Sequence, residues 1–81
     1  MDFVQSTGYE GRSVVYKAPT AHPSLGMKYL VSKPKNGTTW TAQWIDSKGD
    51  CHDVGRYIHG KAHAERLCRE HAERMLDRVS A

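Results

Sequence analysis

Long apolar runs are missing from this chain. None approaches the roughly 18 residues that a bilayer-spanning helix needs, so no membrane partner is expected. A leader pattern is missing too: Met1-Asp2-Phe3-Val4-Gln5 has no basic stretch followed by an apolar one. Cysteine is scarce. Cys51 and Cys68 are too few for a disulfide framework and suit free thiols in a reducing compartment. A cytoplasmic location is therefore expected. Asn36-Gly37-Thr38 has the form of a glycosylation sequon, but without secretion it reads as a hairpin turn whose Asn-Gly accepts positive φ. There is no Gly-rich phosphate loop, internal repeat or low-complexity tract.

Acidic residues are absent between Glu10 and Asp46, and Arg12, Lys17, Lys28, Lys33 and Lys35 fall in that gap. The net charge of +3 therefore has its source in the first half of the chain. The second half is balanced: Glu65, Glu70, Glu73 and Asp77 offset Arg66, Arg69, Arg74 and Arg78. Such a field draws phosphate backbones or acidic protein surfaces, with ordinary solubility as the alternative.

What is present defines a fold. Eighty-one residues make one domain. A chain of this size buries only about 60–65% of its unfolded surface, so the core is thin. Two tryptophans, four tyrosines and one phenylalanine must supply much of it. Residues 1–12, with Gly8 and Gly11, read as a loose lead-in. Ser13 to Lys17 reads as a strand, Ala18 to Gly26 as a loop and Met27 to Ser32 as a second strand. Thr39 to Ile45 gives the clearest strand, with Trp40, Ala42 and Trp44 on one face and Thr41, Gln43 and Ile45 on the other. After a turn at Asp46–Asp50, Cys51 to Val54 reads as a short strand that Gly55 ends.

Residues 61–79 read as a helix. Ala64, Leu67, Cys68, His71, Met75 and Val79 form one stripe, widened by Ala72 and Leu76. The tryptophan face is the surface this stripe covers. The expected class is α+β: an antiparallel three- to four-stranded sheet, residues 13–55, packed against one C-terminal amphipathic helix.

Chemistry is thinly represented. Cys51, His52, Cys68 and His71 are metal-ligand types, but structural zinc needs four convergent ligands. Adjacent Cys51 and His52 on a strand point to opposite faces, and Cys68 lies in the apolar stripe, where a thiol behaves as a small hydrophobe. His71 reads as a core-edge histidine with one ring nitrogen hydrogen-bonded. Asp46, Asp50 and Asp53 around a turn read as solvated. A nucleophile at Cys51 has no evident orienting partner, and so small a chain has little room for a deep pocket. The reading is a non-enzymatic binding module with no cofactor or metal.

The segment from Tyr29 to Ala72 resembles the small DNA-binding domain of plant ethylene-response factors. It also resembles the related arm-binding domains of phage and transposon integrases. The matching residues are Trp40, Ala42 and Trp44 on the strand, Val54-Gly55 and Tyr57 at the corner, and Ala64 and Ala72 on the helix. The resemblance implies three antiparallel strands against one helix, with the outer sheet face reading the DNA major groove. This chain departs from that pattern at the outer positions Thr39, Thr41, Gln43 and Ile45, which carry no cation, and at Asp53. In size and style the chain also resembles accessory proteins of phages and mobile elements, including anti-CRISPR inhibitors. That likeness implies a large host protein or nucleoprotein complex as partner, with nucleic acid as the alternative. The partner-binding candidates are Lys28, Lys33, Lys35, Thr41, Gln43, Ile45, Arg56 and Tyr57, with Tyr57 and Ile45 as anchors.

Overall fold

The computed structural model describes residues 2–6, 13–20 and 23–80. Gly8, Gly11, Arg12 and the Val79 side chain lie outside the described residues. The elements are β1 (Val4–Ser6), β2 (Ser13–Pro19), a 3-10 turn (Pro23–Leu25), β3 (Lys28–Pro34), β4 (Trp40–Ile45), β5 (Cys51–Ile58) and α1 (Lys61–Ser80). The architecture is α+β, as the alternation and the helical stripe require. The sheet has five strands rather than three or four, in the order β1-β2-β3-β4-β5, each antiparallel to its neighbours.

Three expectations are corrected. The lead-in contributes a strand: Val4–Ser6 pairs with Val15–Lys17 along the sheet edge. Strand β2 runs past Lys17 to Pro19, because Ala18 is buried opposite Tyr29 and proline is tolerated where the strand ends. Gly55 does not end β5. It lies inside a bulged stretch, where a Cβ would meet Ile58 Cδ1 at 3.2 Å and Leu67 Cδ1 at 3.3 Å. The corner into the helix falls instead at His59-Gly60. There Gly60 has φ +98°, and its carbonyl accepts the Ala64 N–H at 3.2 Å.

The β3–β4 turn also differs from its expected chemistry. Neither Asn36 nor Gly37 takes positive φ. Gly37 N–H donates to the Pro34 carbonyl at 2.9 Å, and the Lys33 ammonium closes the turn from above.

Helix α1 packs on the face carrying Tyr29, Val31, Trp40, Ala42 and Ile58, with Ala64 and Cys68 fully buried at the contact. Small residues there let the helix sit close over Ala42 while the indoles flank it. Phe3, Val14, Tyr16, Trp44, Val54, Leu67 and Ala72 are partly buried and pack against this cluster. Leu76 does not widen the buried stripe; it is 46% exposed. Lys61–Glu65 and Arg66–Glu70 ion pairs run along the helix at 3.2 and 3.8 Å. No helix among the described residues is long and apolar enough to cross a membrane.

Candidate binding face

Among the described residues one helix lies on one face of the five-stranded sheet, and no described element lies over the opposite face, called here the open face. Antiparallel register places residues on it in rows. One row runs Val4–Lys17–Leu30–Gln43–Asp53, a second Ser6–Val15–Ser32–Thr41, and a third Pro19–Lys28–Ile45–Cys51. At their centre, Ser13, Val15, Leu30, Ser32 and Gln43 line a shallow depression of about 160 Å³. Sites for drug-sized ligands are typically ~300–1,000 Å³, so this hollow is smaller than such a site. Val15 on this face is only 3% exposed.

The candidates do not all lie here. Lys28, Thr41, Gln43 and Ile45 share the open face. Lys33 belongs to the other side. Its ammonium is shared by the carbonyls of Pro34, Lys35 and Gly37 at 3.2, 3.5 and 3.1 Å and stands 5.8 Å from the Trp40 ring centre. Lys35 projects from the turn itself and is exposed. Lys17 and Leu30 were not singled out by the sequence. The alternation in Ser13–Lys17 contains that signal, but only the β2–β3 register places both residues beside Gln43.

The outer strand carries a small charge network. Asp53 Oδ1 accepts from Gln43 Nε2 at 3.3 Å, and Asp53 Oδ2 accepts from Arg56 Nε at 2.7 Å. The Gln43 hydrogen bond first, and the Arg56 partner second, hold the Asp53 carboxyl below its usual range. Asp53 and Arg56 thus pair with each other, and among the described residues the open face also carries Lys17 and Lys28. Tyr57 follows at the bulge, 78% exposed and with φ 56°.

The metal-ligand types are dispersed. Cys51 lies opposite Ile45 on the open face, and His52 lies opposite Trp44 on the helix side. His52 Nε2 donates to Asp46 Oδ2 at 2.7 Å. Asp46 Oδ1 also accepts the Lys48 and Asp50 N–H groups, each at 2.9 Å, so its carboxyl is lowered, chiefly by the His52 bond. Asp46 is thus a turn-forming acid rather than merely a solvated one. His71 is hydrogen-bonded through one ring nitrogen, to Tyr29 at 2.6 Å. Burial pushes the Cys68 thiol up to about 12. Among the described residues no three His, Cys, Asp or Glu side chains gather as a metal site would require.

No protein-family model, curated protein or solved structure matches this chain.

Proposed function

We propose that this chain is a non-enzymatic binding module that docks through its open sheet face and acts by covering a surface of a larger partner. The observation that supports it most is the composition of that face. Leu30 and Ile45 lie there among Ser13, Ser32, Thr41 and Gln43, with Lys17 and Lys28 beside them. Apolar contacts interleaved with adaptable polar groups and a modest positive charge suit a protein surface with acidic character.

With the resemblance in size and fold type to small phage inhibitors, the partner we propose is a bacterial defence complex of the CRISPR type. Expression beside an active CRISPR system tests this. Restored plating of a targeted phage, and co-elution of the chain with the effector complex, are the expected results. Ile45→Asp and Lys28→Glu should abolish both while leaving the melting temperature unchanged. Full immunity in the presence of folded protein, across the effector types tried, would overturn the reading.

Duplex DNA is the second reading, carried by the same two lysines. Phosphate contacts make binding fall steeply with salt. A gel shift that weakens in this way, and is lost on Lys17→Glu with Lys28→Glu, would favour it over a protein partner.

A further inference from the structure

Beneath α1 lies a continuous chain of rings and polar atoms that plays no part in the open face. Tyr29, on β3, is fully buried, and its hydroxyl is 2.6 Å from His71 Nδ1 on α1. Burial pushes the Tyr29 phenol up to about 12, so the hydroxyl keeps its proton and donates it to a neutral imidazole. The His71 ring lies 5.2 Å from the Trp44 ring, and Trp44 lies 5.1 Å from His52 on β5. Trp44 Nε1 donates to the Leu25 carbonyl at 2.7 Å, tying the 3-10 turn to the same cluster.

We propose that the His71–Tyr29 contact is an acid-released latch, in which protonation of His71 undocks α1 from His71 onward and uncovers Trp44. The hydrogen-bond geometry sets the direction. A protonated imidazole is donor-only, so Nδ1–H would have to donate to the Tyr29 oxygen. The Tyr29 O–H would then lose its acceptor inside the core. The new charge would also meet Arg74 and Arg78 on its own helix and His52 across the sheet. Asp46 is engaged by His52, and Cys68 on the preceding turn is a neutral thiol. The 3-10 turn contributes no ionisable group.

Burial first, then Arg74, Arg78 and His52, lower the His71 pKa from 6.5. Folded His71 thus binds its proton less tightly than unfolded His71. Its contribution to docking is complete above pH 6.5 and is lost as pH falls through that value towards the lower folded pKa. The two halves of α1 respond differently. Ala64 and Cys68 are fully buried before His71, whereas beyond it only Ala72 and Met75 are even half-buried among the described side chains.

Residue-resolved amide hydrogen exchange on the intact chain at about pH 7.5 and about pH 5 tests the latch. After correction for intrinsic rates, protection of amides 71–78 should fall relative to that of amides 64–68. The fall should be about tenfold for each unit by which the His71 pKa is lowered. Its midpoint should coincide with the imidazole titration of His71 followed by NMR. His71→Gln keeps an acceptor but cannot titrate, and it should remove the differential loss. Tyr29→Phe should raise the His71 midpoint, a readout that survives if the glutamine variant fails to fold. Parallel loss of protection in both halves, or a midpoint unrelated to His71, would overturn the proposal. So would a differential loss that persists in His71→Gln.

Discussion

Tyr57 stands at φ 56° with its side chain 78% exposed, so no buried contact compensates for its backbone strain. A left-handed conformation costs a non-glycine residue roughly 1–2 kcal/mol, and glycine returns about 0.4–1 kcal/mol of that through its freer unfolded state. Tyr57→Gly should therefore stabilise the fold by about 0.5–1 kcal/mol in urea titrations. The same change should weaken partner binding if the phenol is an anchor, and a loss of stability would contradict the strain account. Gly26 shows the reverse case. It has φ +96°, and a Cβ there would meet Trp44 Nε1 at 2.7 Å and the Ile45 carbonyl at 2.8 Å. Gly26→Ala should cost more than about 2 kcal/mol, because left-handed strain adds to a backbone clash. The cysteines divide by environment. Cys51 is exposed and Cys68 is buried with a raised pKa, so a maleimide should label one thiol rapidly on the native protein and the second only on unfolding. Equal labelling rates would show that α1 opens far more readily than its packing implies.

At the scale of elements, the β4–β5 hairpin depends on Asp46, whose two carboxylate oxygens serve Lys48, Asp50 and His52 together. Its lowered carboxyl pKa means that this support is present above pH 3.8 and is lost as pH falls through the still lower folded value. Asp46→Asn should lower the thermal midpoint at neutral pH and flatten the acid limb of a stability-against-pH curve below about pH 4. An acid limb unchanged by the substitution would place the loss elsewhere. Much of this level was legible in advance. The Trp40–Ile45 alternation gave the buried face, and the stripe from Ala64 to Met75 gave the helix. What stayed illegible depended on partners distant in sequence. Val4–Ser6 is too short to read as a strand until β2 is there to pair with it. Gly55 reads as a terminator until Ile58 and Leu67 are seen crossing above it.

At the scale of the whole molecule, the candidate face was half legible. Thr41, Gln43 and Ile45 follow from the period of β4 alone. Lys17 and Leu30 needed the register, and Lys33 shares the helix side with Tyr29 and Val31, its ammonium folded over its own turn. Among the described residues the lysines of this face are Lys17 and Lys28. Replacing both with glutamate should leave the fold intact and slow association with an acidic partner, an effect that added salt reproduces in the parent protein.

Strand order in the sheet equals strand order in the chain, and the helix that covers the tryptophans comes after every strand. During synthesis each hairpin can zip onto the previous one as it leaves the ribosome, yet Trp40 and Trp44 stay bare until α1 emerges. A chain truncated after His59 should be protease-sensitive and captured by chaperones, and restoring residues 60–80 should end both conditions. The sheet is thus complete in sequence before the one element that covers its tryptophans has been made.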